Sequence, residues 1–97
     1  MRFSIVIPAY NYGHVLARAV ESACSQSGDD YEVLVIDDGS TDNTSEVLAS
    51  LQASLPGLRV IRQRNSGLAA VRNRGIDESC GEYLLFLDAD DELEPGA

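Results

Sequence analysis

The chain has 97 residues, 44% of them hydrophobic, and a formal net charge of −9. This composition is typical of a globular protein and excludes a disordered one, and the length suffices for one small domain with a single core. Because the basic residues are seven arginines against sixteen acidic residues, a nucleic-acid backbone is excluded as a partner for the molecule as a whole.

Cys24 and Cys80 are the only cysteines, and they form no CxxC pair, so we expect two reduced thiols in a cytoplasmic protein. The first residues lack the basic region and long apolar run of a signal peptide. No apolar stretch approaches the roughly 20 residues of a membrane span. Any membrane association is therefore expected to depend on a C-terminal part outside this sequence.

The first half of the chain predicts two strands and two helices. Phe3 to Pro8 is β-branched and apolar, which indicates a buried strand that ends at the proline. Apolar residues at helical spacing predict a helix over 13–26, which Ser27 to Asp30 terminates. Tyr31 to Ile36 predicts a second buried strand. A second helix follows, with Asn43 and Glu46 resembling a capping box and Val47, Leu48, Leu51 and Leu55 forming the buried side.

The second half predicts the same alternation. Leu58 to Gln63 alternates in polarity, which indicates a strand at a sheet edge, with Leu58, Val60 and Arg62 on one side. A helix over 67–79 is expected to bury Leu68, Val71 and Ile76, with Cys80 as a further candidate. Tyr83 to Leu87 is almost wholly apolar, which is typical of a strand buried on both faces.

The order β-α-β-α-β-α-β implies parallel strands joined by right-handed crossovers. We therefore predict an α/β fold: a Rossmann-like doubly wound sheet of about four strands, in the order 3-2-1-4, with helices on both faces. No repeat or linker is present, so 1–97 is taken as one domain. Because the chain stops soon after the fourth strand, we expect a fragment of a longer enzyme.

Two predicted strands run directly into carboxylates. Asp37 and Asp38 follow the second strand, and Asp88, Asp90 and Asp91 follow the fourth. Ligands of open α/β sheets bind beyond the carboxyl ends of such strands. Asp88 and Asp90 leave an extended backbone on the same side, and two hard oxygen ligands suit Mg²⁺ or Mn²⁺. Taken alone, the cluster is better explained as an acidic turn that ends the strand and faces water.

Four segments together resemble the N-terminal half of a family 2 glycosyltransferase with the GT-A fold. They are Ile5–Asn11 (IVIPAYN), Val35–Asp42 (VIDDGSTD), Asn65–Gly75 (NSGLAAVRNRG) and Leu87–Asp91 (LDADD), in this order over nearly the whole chain. Each pattern is weak alone, but the ordered set is specific. The resemblance implies binding of a nucleotide-sugar, most often a UDP-sugar.

The resemblance assigns the uracil pocket to the first two motifs. The backbone of Pro8 and Ala9 and the ring of Tyr10 are expected to line it, and Asn11 belongs to the same nucleotide-binding set. Without the resemblance, Tyr10 is more simply a half-buried aromatic residue in a turn.

Asp38 is expected to accept the uracil N3–H, with Asp37 beside it. A carboxylate accepts from an imide donor and so selects uracil over cytosine. The alternative is that both aspartates hold the following turn.

The other two motifs are expected to contact the rest of the nucleotide. Gly67 lets the backbone approach it, and Arg72 lies near the uracil or the phosphates. Asp88 contacts the ribose and, with Asp90, forms the DxD motif that coordinates the metal. Arg74 is expected to be a solvated charge, and His14 a surface residue.

The implied reaction is metal-assisted, inverting transfer of the sugar to an acceptor hydroxyl. The acceptor is a saccharide, a lipid-linked molecule or a protein. In the family, the catalytic base and the acceptor site lie in the C-terminal half, so the 97 residues alone are expected to be inactive. The competing hypothesis is an inactive nucleotide-binding module, or one that self-associates through its fourth strand. A Rossmann dinucleotide binder is disfavoured because the first turn lacks GxGxxG. A nucleotidyltransferase with a related sheet stays an open alternative, although its glycine-rich loop after the first strand is absent.

Overall fold

A computed structural model of the protein describes residues 3–11, 13–25, 31–55 and 57–87. Strands and helices alternate along these residues, as the sequence predicts. The strands are β1 (Phe3–Ala9), β2 (Tyr31–Asp38), β3 (Leu58–Gln63) and β4 (Tyr83–Phe86), and the helices are α1 (Gly13–Cys24), α2 (Thr44–Ser54) and α3 (Leu68–Glu78). Within this described part of the chain, no helix is long and apolar enough to cross a bilayer.

The four strands form one parallel sheet in the order β3-β2-β1-β4, which confirms the predicted topology. β2 pairs with β1 from Tyr31 to Asp37, and with β3 up to the pair of Asp38 and Gln63. All strands therefore point their carboxyl ends toward the same side of the sheet, which we call the carboxyl edge. β3 lies at one end of the strand order, as its mixed polarity predicts.

Helices cover both faces of the sheet, as predicted. The helices α1 and α2 bury the larger core, in which Leu16, Val20 and Leu48 pack against Ile7 and Val35. On the opposite face α3 buries a smaller core around Val71, against residues of β1 and β2. A Cβ atom at Gly75 would lie 2.8 Å from Cγ1 of Val6. The glycine thus lets the backbone of α3 approach the sheet closely.

β1 continues through Pro8 to Ala9, so the prediction that Pro8 ends the strand is wrong. The carbonyl of Val6 faces β4, because it accepts a hydrogen bond from Leu87 N at 2.9 Å. Alternate residues of a strand face the same neighbour, so the nitrogen of Pro8 also faces the β4 side. The described pairing with β4 ends at Val6 and Phe86, so the missing N–H of Pro8 breaks no described hydrogen bond there.

The predicted burial of α3 and β4 is also partly wrong. Val71 is buried, but Leu68 and Ile76 are 56% and 54% exposed, and Cys80 is exposed beyond the end of the helix. In β4, Leu84 and Leu85 are 38% and 45% exposed, because the helices lie mainly over β1, β2 and β3. β4 is an outer strand of the described sheet and is not buried on both faces.

The ends of the first two helices differ from the prediction. α1 ends at Cys24, two residues early, and the predicted break at 27–30 lies outside the described residues. α2 has no capping box, because the side chain of Asn43 makes no capping hydrogen bond. Asp42 takes that role instead: its Oδ1 atom accepts Thr44 N at 2.9 Å and also the Thr44 hydroxyl.

A buried carboxylate that the sequence analysis did not single out lies at the opposite, amino edge of the sheet. Glu32 is 5% exposed, and its Oε2 atom accepts hydrogen bonds from Ser4 Oγ at 2.6 Å and Cys80 N at 2.5 Å. Its Oε1 atom accepts Arg59 NH1 at 2.9 Å. Burial raises the pKa of the Glu32 carboxyl, but these hydrogen bonds outweigh it and hold the pKa below the ordinary value. Glu32 therefore fastens the segment between α3 and β4 to the sheet.

Candidate functional site

Three turns meet at the carboxyl edge, each following one of the strands β1, β2 and β3. They are the first turn (Tyr10–Asn11), the second turn (Gly39–Asn43) and the third turn (Arg64–Gly67). In-chain hydrogen bonds to three aspartates and one asparagine join these turns to the strands and to one another. The predicted nucleotide-binding residues from β1, β2 and the third turn are therefore brought to one side of the sheet.

Asp38 holds the third turn. It is 5% exposed, and its Oδ1 atom accepts hydrogen bonds from Gln63 Nε2 at 2.9 Å and from Ser66 N at 2.9 Å. Its Oδ2 atom accepts Gly67 N at 3.1 Å. A carboxylate offers about four lone-pair positions, and donors among the described residues fill three of them. Among these residues, no donor fills the second position on Oδ2, which suits an external N–H donor.

The same carboxylate caps α3. Gly67 is the N-cap residue, with a φ of 92°, and its N–H bonds to Asp38 rather than to a side chain of its own turn. A negative charge at this position also interacts favourably with the helix dipole. The second and third turns touch at Gly39, where φ is 73° and a Cβ atom would lie 2.6 Å from Asn65 N. The position of α3 thus depends on Asp38 and on the close contact of these two turns.

Asp37 is engaged within the chain. It is 1% exposed; its Oδ1 atom accepts Ser40 N at 3.0 Å, and its Oδ2 atom lies 3.9 Å from Arg62 Nε. Arg62 also donates to the carbonyl of Ser40 at 3.3 Å. Both carboxylate oxygens thus have partners that shape the second turn, which is the alternative role that the sequence left open.

Asn11 joins the first turn to the second. Its Oδ1 atom accepts the backbone N–H groups of Thr41 at 2.8 Å and Asp42 at 3.2 Å, and its own N–H donates to Ser40 Oγ at 3.0 Å. In return, Asp42 Oδ2 accepts Gly13 N at 3.2 Å. Hydrogen bonding, chiefly from the Thr44 hydroxyl, holds the pKa of Asp42 below its ordinary value. We call this reciprocal pair the Asn11–Asp42 clamp.

The clamp fixes the end of β1, where the predicted base-binding residues lie. Asn11 has a φ of 55°, the only positive φ at a non-glycine position among the described residues. Ala9 is buried and Pro8 is half-buried, whereas the side chain of Tyr10 is 44% exposed. An exposed aromatic ring held at a sheet edge is suited to stacking on a planar ligand.

Arg72 lies on α3 with its guanidinium carbon 5.8 Å from the centre of the Phe86 ring. This contact places its charge near the end of β4, two residues before Asp88. Arg74 instead faces Glu78, with 3.4 Å between Nε and Oε1. The two arginines therefore have different surroundings, and the predicted contact of Arg72 with the nucleotide stays a prediction.

The predicted metal ligands Asp88 and Asp90, together with Asp91, lie outside the described residues, as does the side chain of His14. Within the described ranges, no group of three or more His, Cys, Asp or Glu side chains could hold a metal ion. β4 is parallel to β1, and its last described contact joins Leu87 N to Val6 O at 2.9 Å. The chain thus leaves β4 in the direction of the carboxyl edge.

The sequence analysis did not assign Gln63, Ser66 or Asp42 to the site. Gln63 was assigned to the polar alternation of an edge strand, although it ends β3 just as Asp38 ends β2. The register pairs these two terminal residues, and paired residues of parallel strands face the same side. An alignment of the two predicted strands at their carboxyl ends would have placed Gln63 opposite Asp38.

Comparison with known protein families gives a match over almost the whole chain. The model of the family described as "Glycosyl transferase family 2" matches residues 4–97. Among curated relatives, the chondroitin synthase of Pasteurella multocida is 44% identical over 94 residues, which is 97% of this chain and 10% of that protein. An uncharacterized glycosyltransferase of Escherichia coli, YibD, is 39% identical over 97% of this chain and 27% of its own length. The chain thus spans less than a third of these relatives.

Solved structures agree with the predicted GT-A fold. Residues 1–349 of Staphylococcus aureus TarS, in complex with UDP-GlcNAc, superpose with a TM-score of 0.85 and 33% identity, over 95% of this chain and 27% of that one. The mannosyltransferase PcManGT of Pyrobaculum calidifontis, in complex with GDP-Man and Mn²⁺, gives a TM-score of 0.90 over 98% of this chain and 29% of that one. Because it is 23% identical, it supports the fold alone.

Proposed function

Because the chain belongs to glycosyl transferase family 2, we propose that it binds the nucleotide of a UDP-sugar and that the protein transfers the sugar, with inversion, to an acceptor hydroxyl. The observation that carries the proposal is the one acceptor position on Asp38 that no described donor fills, at the same sheet edge as the exposed Tyr10. The complex of TarS with UDP-GlcNAc, a protein 33% identical to this chain, supports the choice of nucleotide.

The chemistry of the base favours uracil at Asp38. Uracil presents an N3–H donor, whereas cytosine presents an unprotonated N3 acceptor at the same place. An ionised carboxylate only accepts, so it binds the first and repels the second. Discrimination of this kind is strong, because a mismatched base leaves a buried polar group without a partner. Tyr10 supplies a ring for the base to lie against.

Asp88 and Asp90 are the residues proposed to hold Mg²⁺ or Mn²⁺. Two carboxylates separated by one residue form a hard oxygen donor set, which fits either ion. The bound ion would neutralise the charge that develops on the departing nucleoside diphosphate. Arg72 is proposed to add a positive charge from α3 near the end of β4. Removal of the proton from the acceptor hydroxyl needs a general base, and none of the described residues is assigned to that role.

The acceptor is proposed to be a growing polysaccharide. The support is the similarity to the chondroitin synthase of Pasteurella multocida, of which this chain spans 10%. Because the chain matches so little of that protein, the identity of the sugar and of the acceptor is a proposal separate from nucleotide binding.

Calorimetry of the full-length protein with UDP and Mn²⁺ tests the proposed function. We expect UDP binding that weakens at least tenfold when the metal is removed by a chelator, and an Asp90→Asn variant whose residual binding no longer responds to Mn²⁺. Asp77→Asn, an exposed aspartate of α3, is the matched control and should bind as the unaltered protein does. Unchanged Mn²⁺ dependence in Asp90→Asn refutes the metal assignment, and absence of UDP binding refutes the function.

A second candidate function is self-association through β4, for which the exposure of Leu84 and Leu85 is the specific observation. An outer strand with apolar side chains invites pairing with a second copy of the chain. Light scattering over a range of concentrations tests this candidate. Oligomers that dissociate in a Leu85→Lys variant support it, and a monomer at all concentrations refutes it.

A further inference from the structure

We propose that Gln63 is a positioning residue that sets the base preference of the nucleotide site by fixing the orientation of the Asp38 carboxylate. This inference rests on the proposed function, because it takes the open position on Asp38 as the contact for the base. Gln63 itself is not proposed to touch the nucleotide. It acts through one hydrogen bond, from its Nε2 atom to Asp38 Oδ1 at 2.9 Å.

The argument begins with the donors around Asp38. Two of the three are backbone N–H groups, of Ser66 and Gly67, whose positions follow from the third turn. Gln63 supplies the only side-chain donor to Asp38 among the described contacts. Asp38 and Gln63 are the last residues of β2 and β3 and are paired in the register, so two rigid strands hold the two side chains together.

The two bonds to Oδ1 have a specific geometric effect. With Gln63 and Ser66 on one oxygen, both lone-pair positions of Oδ1 are filled, and the plane of the carboxylate is fixed. The remaining lone pair of Oδ2 then has one direction only. A uracil N3–H that lies along this direction gains a charge-assisted hydrogen bond. The N3 atom of cytosine carries a lone pair of its own, which is repelled by the lone pair of Oδ2 at the same place.

Loss of the Gln63 donor changes the affinities for the two bases unequally. The carboxylate is then held only by the two backbone groups, one on each oxygen, and turns about its Cβ–Cγ bond over a wider range than with Gln63 in place. The hydrogen bond to uracil weakens, whereas cytosine, which makes no such bond, loses nothing. A purely structural role of Gln63 would weaken binding of both nucleotides to the same extent. The ratio of the UDP and CDP affinities therefore separates positioning from stability.

The test is calorimetry of UDP and of CDP, each with Mn²⁺, on the full-length protein and on Gln63→Met. Methionine has nearly the length of glutamine but no donor. We expect the preference for UDP over CDP to fall about tenfold, near the lower end of the effect of one hydrogen bond to a charged group, because the bond is weakened and not removed. Gln52→Met is the matched control, because the amide of Gln52 donates only to the Leu58 carbonyl, at 3.3 Å, among the described contacts.

A second variant keeps the test decisive if Gln63→Met folds poorly. Gln63→Lys retains an N–H donor on a side chain of similar reach and should keep the preference within about threefold. A UDP preference that is unchanged in Gln63→Met, a parallel loss of both nucleotides, or a lost preference in a folded Gln63→Lys overturns the inference. If the unaltered protein binds UDP and CDP equally, the inference fails while nucleotide binding stands. If it binds neither, the proposed function fails, and the inference with it.

Discussion

Substitution of Glu32 by alanine is expected to destabilise the fold strongly, although the residue lies at the edge opposite the candidate site. Its carboxylate accepts hydrogen bonds from Ser4, Cys80 and Arg59, and the first of these donors is fully buried. Alanine leaves the Ser4 hydroxyl and the Cys80 N–H without this acceptor, whereas Arg59 NH1 keeps its hydrogen bond to the Glu78 carbonyl at 3.0 Å. The Ser4 hydroxyl gains no water in compensation, since its residue is 0% exposed.

The size of the loss follows from these contacts. A buried donor left unsatisfied costs about 1–3 kcal/mol, so the Ser4 hydroxyl contributes about 2 kcal/mol. The partly buried N–H of Cys80 adds about 1 kcal/mol, which gives about 3 kcal/mol together. We assign nothing to Arg59, because its side chain is 39% exposed and regains water. A domain of this length has a total stability of roughly 5–15 kcal/mol, so the change removes a large part of it. The corresponding fall in melting temperature is roughly 12–24 °C.

Urea denaturation followed by circular dichroism measures the change in the free energy of unfolding. Glu21→Ala, on the exposed side of α1, is the matched control and should alter that free energy by no more than about 0.5 kcal/mol. A loss below about 1 kcal/mol for Glu32→Ala, with an unchanged denaturant dependence, would show that the segment between α3 and β4 is held by other contacts. The reasoning about the buried carboxylate would then be wrong.

Three further predictions concern pH, the clamp and the packing of α3. Because folding lowers the pKa of Glu32, the ionised carboxylate stabilises the folded state fully above the unfolded pKa of about 4.3, and this stabilisation is lost as the pH falls toward the folded pKa. The urea midpoint measured between about pH 7 and 3 should therefore fall less steeply in Glu32→Gln than in the unaltered protein. Asn11→Ala should weaken UDP binding roughly three- to tenfold in calorimetry by releasing the first turn, whereas Asn73→Ala, on the exposed side of α3, should not. Gly75→Val should lower the free energy of unfolding by about 2–3 kcal/mol in urea denaturation, because even a Cβ atom there would lie 2.8 Å from Val6; an unchanged midpoint would contradict the close packing.

The alternation of strands and helices was predictable because each strand is short, apolar and ended by turn residues. The bounds of β3 are those expected from the sequence, and the order of the strands agrees with the resemblance to family 2 glycosyltransferases. Pro8 misled the prediction of β1, since a proline ends a strand only where its missing N–H is needed for a neighbour. Whether the N–H is needed at Pro8 depends on how far β4 extends beside β1. The sequence of β1 alone does not give that length.

The buried side of α3 was mispredicted because glycine was not counted as a core residue. Val71 and Gly75 are four residues apart, and both are buried against the sheet. Ile76 follows Gly75 by one residue, so it is rotated by about 100° from the contact line and faces outward. A pattern that scores only large apolar residues therefore selects the wrong side of a helix whose closest contact is made by a glycine.

The hydrogen bonds of the candidate site were beyond the reach of sequence patterns. The motifs identified Asp38 and Asn11, but not that in-chain donors occupy most of their acceptor positions. Such occupancy depends on contacts between residues 25 to 31 positions apart, which arise only when the strands are aligned. Neither periodicity nor composition contains this information.

These occupied positions determine which variants test nucleotide recognition. Asp38→Asn is the direct choice for removing the charge of this carboxylate. Its amide NH2 group must face either the N–H of Gly67 or the donors of Gln63 and Ser66, so two donors meet in either orientation. We expect this variant to lose the cap of α3 together with any UDP binding, visible as a lower melting temperature in circular dichroism. Loss of binding in Asp38→Asn therefore does not identify the base contact. Gln63→Met leaves both backbone bonds to Asp38 in place and alters only the orientation of the carboxylate, so a change in base preference there is the more specific result.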